Sequence, residues 1–212
     1  MRNYRNAIFT FMITVLLSAC AMDGGQSEVK TSASGVQTEK MAAVSATGDA
    51  AASLTIRTVT ATVKDIDLPS RMVTIVGPDG KSFVMHASEQ VRNLAQVKAG
   101  DKVTVEYTDG IAAEIVAPGS SKEMTITDAM ARAAPGQRPA GVAGKAVTAM
   151  VVIELVDIER NTVQFKNNKG VTQVVAVRKP EFRAMLKNLK PGDQVAITYF
   201  EAAAISVQPA SK

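Results

Sequence analysis

The residues able to do chemistry are few. The chain of 212 residues holds one cysteine, Cys20, one histidine, His86, and no tryptophan. A single cysteine cannot close an internal disulfide or build a thiolate zinc site. A single histidine excludes a His-Glu-x-x-His metalloprotease centre. Around His86 the possible donors are soft: Met85 adjoins it and Met72 lies one hairpin away. A copper(I) ion accepts such a set, yet neighbouring residues of a strand face opposite sides, so Met85 and His86 cannot meet one ion without a bulge. Asp67 and Asp157 stand in matching contexts, before Leu-Pro-Ser-Arg and Ile-Glu-Arg-Asn. Two carboxylates do acid–base work only when brought together; the simpler reading is that each accepts backbone N–H groups in a tight turn. Asp101 and Asp193, each after a glycine, read the same way. No phosphate-binding loop or nucleophile elbow is present, and Ser120-Ser121-Lys122 lacks a histidine partner. The inventory points away from an enzyme.

The position of Cys20 changes what it means. Arg2 and Arg5 precede a mostly apolar stretch, Ala7 to Leu17, and no acidic residue occurs before Asp23. That stretch is far short of the roughly 20 apolar residues a membrane-spanning helix needs, and it fits the hydrophobic region of a secretory signal. It ends in Leu17-Ser18-Ala19-Cys20, which resembles the lipobox of bacterial lipoproteins. The resemblance implies cleavage between Ala19 and Cys20, with the cysteine thiol carrying a covalent lipid as the one non-protein group. It further implies several acyl chains, and each buried CH₂ adds about 0.8 kcal/mol to membrane binding. Ala21 rather than aspartate follows the cysteine, which by the sorting rule of enteric lipoproteins implies the outer membrane, periplasmic side.

Processing also corrects the charge. Residues 1–19 contain two bases and no acid, so the mature chain carries 22 bases against 20 acids. A nearly neutral chain with 4% aromatics lacks both the basic groove and the stacking platform of a single-strand binder, which argues against nucleic acid.

The elements that position these residues come in two copies. Residues 60–87 match 150–177 at an offset of 90: Val63 falls on Ile153, Asp67 on Asp157, Val73 on Val163, Ile75 on Phe165 and Gly80 on Gly170. Residues 94–118 then match 186–209 at an offset of 92, pairing Gly100-Asp101 with Gly192-Asp193 and Tyr107 with Tyr199. The second copy therefore has two extra residues between the blocks. Such self-similarity is the signature of a repeated structural unit.

Within a copy the apolar period is two, as for strands. Val59, Ala61 and Val63 alternate with polar residues and the phase slips near Ile66, as at a β-bulge. Pro78-Asp79-Gly80 and Asn167-Asn168-Lys169-Gly170 carry hairpin chemistry. A short helix is predicted over Glu89–Val97 and over Pro180–Leu189, where Phe182, Met185, Leu186 and Leu189 share one face. Strands four and five follow at Val103–Tyr107 and Ile111–Val116 in the first copy, and at Val195–Tyr199 and Ala203–Val207 in the second. The order β-β-β-α-β-β is that of a five-stranded OB-like barrel. Barrels this small bury little surface alone, so the two are expected to pack together.

The fold class is thus mainly β: two tandem OB-like barrels joined by a partly helical connector. The expected divisions are a signal peptide at 1–19, a lipidated flexible tether at 20–53, a first barrel at 54–118, a connector at 119–143 and a second barrel at 144–212. The tether is rich in Ala, Ser, Thr, Gly, Glu and Lys and poor in large apolar residues, the composition of a disordered segment. In the connector, Met124–Ala134 is predicted helical until Pro135-Gly136 breaks it. The expected function is a non-enzymatic binding or scaffold module of the cell envelope, held to the membrane by its lipid, with an envelope protein or the cell wall as partner. Two alternatives stand beside it. One is copper handling through His86, Met85 and Met72; the hairpin and Gly-Asp turn resemble small periplasmic copper chaperones, whose tryptophan and Met-x-Met pair this chain lacks. The other is binding of cell-wall carbohydrate in a barrel groove.

Overall fold

The computed structural model describes residues 22–32, 35–120 and 123–210. In chain order the strands are β1 (Met22–Thr31), β2 (Gln37–Ser45), β3 (Ala50–Asp67), β4 (Met72–Val76), β5 (Ser82–His86), β6 (Lys102–Val116), β7 (Thr125–Arg132), β8 (Ala140–Asp157), β9 (Thr162–Asn167), β10 (Thr172–Ala176) and β11 (Gln194–Gln208). A 3-10 turn lies at Leu94–Gln96, and the helix α1 spans Pro180–Leu186. The strands form a single antiparallel sheet, curled about its long members, with β6 and β11 side by side in the middle.

The curl originates in the long strands. β3 gives one edge to β6 and divides the other between β2, along its N-terminal half, and β4, along its C-terminal half. β8 does the same with β11, β7 and β9. Just past the changeover, within the ladder to β4 or β9, each strand carries a bulge, at Lys64 between Val63 and Asp65 and at Glu154 between Ile153 and Leu155. An extra residue bends the strand and resets its alternation. Val63 and Ile66 therefore both turn inward although three positions apart, and so do Ile153 and Val156. The Gly-Asp turns extend the ladder there: the Val63 N–H donates to the Asp101 carbonyl at 2.8 Å, and the Ile153 N–H to the Asp193 carbonyl at 2.9 Å. Gly100 and Gly192 make these turns at φ +92° and +96°, which any side chain would strain.

Four expectations change here. The helix predicted over 124–134 is the strand β7, paired with β8 from Thr125↔Thr148 to Arg132↔Gly141. All eight of its residues are exposed, so ladder hydrogen bonds rather than an inward face hold it. The tether expected over 20–53 contains β1 and β2, and β2 pairs with β3 from Gln37↔Thr58 to Val44↔Ala51. Its small side chains bury little by themselves, but a pre-existing neighbour strand supplies their backbone partners. Strands four and five of each copy are one uninterrupted strand, β6 or β11, so each half curls without closing on itself. In the first copy the predicted helix over Glu89–Val97 is reduced to the 3-10 turn, whereas α1 forms in the second.

The same registers lengthen the repeat. β2 lies on β3 as β7 lies on β8, so the supposed tether and connector hold equivalent strands. The two halves meet antiparallel along the β6–β11 ladder, where Asp109 pairs with Glu201, its own counterpart at the offset of 92. A local two-fold axis passes through that pair. Each N-terminal hairpin consequently reaches over the core of the other half. Val44 of β2 and Ala51 of β3 pack with Met185, Leu186 and Val195, and Asn188 donates to the Thr47 carbonyl at 2.7 Å. The β7–β8 loop likewise covers the first half.

Candidate functional site

The two halves differ inside. The second is filled: Met185 and Leu186 of α1 are each 2% exposed, packed against Val151, Ile153, Val163 and Val195 with Phe165, Val177 and Phe182 beside them. The first has a smaller core of Val63, Val73, Leu94, Val97, Val103 and Val207. Next to that core is a mostly apolar cavity of about 410 Å³, bounded by β4 and β5, the segment leading to the 3-10 turn, β7, β8 and the end of β11. That size lies within the range of small-ligand sites, which are typically apolar clefts with a few polar groups.

The repeat explains the space residue by residue. Phe165, Val177 and Leu189 of the second half correspond to Ile75, Ala87 and Val97 of the first, and each change removes apolar volume. Val44 and Ala51, which seal the second core, correspond by register to Arg132 and Gly141, both of which line the cavity. Counting back from the Leu94–Leu186 match, Phe182 and Met185 become Gln90 and Asn93. One wall position goes the other way, Ala113 becoming Ile205.

The missing helix has a local cause. The first copy has two residues fewer between Ala87 and Leu94 than the second has between Val177 and Leu186. Arg71, held at φ 56°, takes over the carbonyls a helix would otherwise have organised. Its Nε donates to Ala87 at 2.7 Å, and its Nη2 to Ser88 at 2.7 Å and Val91 at 3.0 Å. The second copy has Asn161 there, and Arg183 on α1 reaches the Val177 carbonyl instead.

Two polar clamps fix the cover over the cavity. The Asn93 amide donates to the Ala134 carbonyl at 2.9 Å and accepts from the Gly136 N–H at 3.1 Å. Arg138 pairs with Asp101 at 2.5 Å, and Asp101 also accepts the Lys98 N–H at 2.9 Å. Burial pushes the Asp101 carboxyl up, but the Lys98 N–H and the Arg138 guanidinium together outweigh it and hold the group below the usual aspartate value. Every ionisable side chain lining the cavity is basic: His86, Arg92 and Arg132.

The sequence-derived candidates are distributed as follows. Ala19 and Cys20 lie outside the described residues. Met72 and His86 are register partners on the β4–β5 hairpin and share a face, whereas Met85 pairs with Val73 on the other face. Met85 and His86 both border the cavity. Among the described residues no group of three or more His, Cys, Asp or Glu side chains converges as a metal site. Asp67 and Asp157 are turn residues: Asp67 accepts from the Ser70 hydroxyl at 2.5 Å and Asp157 from the Arg160 N–H at 2.9 Å. Asp193 accepts the Lys190 N–H at 2.8 Å in the same way as Asp101 accepts Lys98. Tyr107 and Tyr199 are exposed on the central ladder, and the Tyr107 hydroxyl donates to Glu201 at 3.3 Å.

Sequence reasoning missed the cavity, although its signal was present. The signal is the pair of residues absent before Leu94, together with polar Gln90 and Asn93 where the other copy has Phe182 and Met185. Comparison with protein families, characterised proteins and solved structures gives no match to this chain.

Proposed function

We propose that the chain is a non-enzymatic lipoprotein anchored through Cys20, with its β body facing the periplasm from the outer membrane as a binding or scaffold module of the cell envelope. One observation carries the reading: the only cysteine of the chain stands at the lipidation position of Leu17-Ser18-Ala19-Cys20. The repeated body supports the binding role, because one half has given up core volume for an apolar cavity that its twin fills. In the same reading each half is an OB-like unit opened out, its last two strands merged into β6 or β11.

Anchoring is tested in cells. Globomycin blocks lipoprotein signal cleavage, so the unprocessed precursor accumulates, and Cys20→Ala has the same effect. Normal maturation in either case refutes the anchor. Copper handling keeps one observation in its favour, the register pair Met72 and His86. Copper(I) titration of the full chain decides it, since stoichiometric binding that disappears in His86→Ala would establish it and any other result would end it.

A further inference from the structure

Building on the binding role just described, we propose that the cavity of the first half receives a short amphipathic α-helix from a partner protein, with Phe, Met and Leu on one face and acidic residues on its flanks. The second half supplies the template. There the corresponding space is taken by α1 and the turn after it, which bury Met185 and Leu186 and press Phe182 and Leu189 against the same core. These positions follow i, i+3, i+4 and i+7, the anchor pattern of helix-in-groove recognition. The first half keeps the surrounding sheet, with Val63, Val73 and Val103 in the places of Ile153, Val163 and Val195, and buries Leu94 and Val97 in the places of Leu186 and Leu189. It forms no helix, however, and has polar Gln90 and Asn93 where Phe182 and Met185 stand, so the places of those two anchors are the ones left for a partner.

Charge selects the occupant. The arginines Arg92 and Arg132 line the cavity without an acidic neighbour among the lining residues, and both are exposed. An apolar face flanked by carboxylates complements this arrangement, whereas one flanked by lysines is repelled. α1 itself has such a basic flank in Arg183, Lys187 and Lys190, so the site discriminates against the chain's own helix in a second copy.

The test uses the full chain and a fluorescein-labelled peptide of residues 179–190 in which Arg183, Lys187 and Lys190 are replaced by glutamate. Fluorescence anisotropy is expected to show saturable binding, weakened about tenfold or more when the peptide keeps its native basic residues. Replacing the peptide's Phe, Met and Leu anchors by alanine abolishes binding. In the protein, Ile75→Phe/Ala87→Val/Val97→Leu narrows the cavity toward the second half's shape and weakens binding by about tenfold or more. The surface substitution Arg132→Glu, which leaves the core intact, reverses the preference toward the basic peptide. The proposal is overturned if the acidic peptide does not bind, if these substitutions leave binding unchanged, or if a dansyl-labelled fatty acid fills the cavity and the peptide does not compete. Binding is read with or without lipid on the chain, so its failure is distinct from failure of the Cys20 anchor.

Discussion

Replacing Asp101 by alanine removes one of the two clamps on the cover over the cavity, and the repeat provides its own control. Asp101 is 3% exposed and accepts hydrogen bonds from the Lys98 N–H at 2.9 Å, from Arg138 at 2.5 Å and from the Ala210 backbone. Asp193 has the same turn and accepts the Lys190 N–H at 2.8 Å, but it is half-buried and among the described residues it has no arginine partner. Hydrogen bonds involving a charged group contribute about 1.5–3 kcal/mol each. Arg138 is 32% exposed and can rehydrate once freed, which places the loss for Asp101→Ala near 3 kcal/mol rather than at the sum. The single backbone bond of Asp193 is open to water, which brings it below that range, to about 1 kcal/mol for Asp193→Ala. With a urea m-value of about 2 kcal/mol per molar, the two variants differ by about 1 M in midpoint.

Circular dichroism during urea unfolding measures both variants, and Arg138→Ala with the double mutant completes the cycle. The pH dependence has a definite sign. The folded carboxyl of Asp101 lies below its unfolded value of about 3.9, so its contribution is complete above that pH and is lost as the pH falls through the folded value. The acid limb should therefore flatten in Asp101→Ala. Equal midpoints for Asp101→Ala and Asp193→Ala, with no coupling to Arg138, would refute the clamp.

Three further outcomes follow from the same geometry. A Cβ on Gly110 would run into the ring of Phe200, its register partner and a buried residue, so Gly110→Ala costs about 1–3 kcal/mol in thermal or urea unfolding, and an unchanged midpoint contradicts that packing. Leu186→Ala, in the filled half, costs about 2–5 kcal/mol, and Leu94→Ala, beside the existing cavity, costs less; a reversed order would mean that the first half is the tighter one. The Glu154 carboxyl is held below its ordinary value first by its bond to Lys166, then by Gln164, so in Lys166→Met its NMR titration midpoint moves upward and the ionised form gives way at higher pH.

Much of the local structure is written in the residues themselves. The strand positions of each copy, the hairpin glycines, the phase slip before Ile66 and the Gly-Asp turns depend on side-chain alternation and on φ > 0, which are properties of a few neighbouring residues. The helix at Pro180 was equally readable, because its apolar face repeats at i, i+3 and i+4. β7 was not readable. Its residues are exposed on both faces, and its backbone partners come from β8, up to 23 positions along the chain. β1 and β2 escaped for the same reason: small polar strands pair because an edge is offered to them, and an edge is a product of the whole sheet.

The boundary between the two kinds of information is physical. Sequence alone determined that the chain is mainly β, that it is built twice, and that it holds a single cysteine and a single histidine. It also placed the only thiol in a lipobox-like tetrapeptide, from which the anchor is proposed. Only the tertiary structure decided that β6 and β11 join the copies into one sheet and that each hairpin covers the opposite core. The same structure decided that two absent residues before Leu94 become a cavity rather than a collapsed turn. Packing is non-local: whether a missing side chain leaves a void depends on the rigidity of the strands around it, and here Arg71, Asn93 and the Arg138–Asp101 pair hold those walls apart.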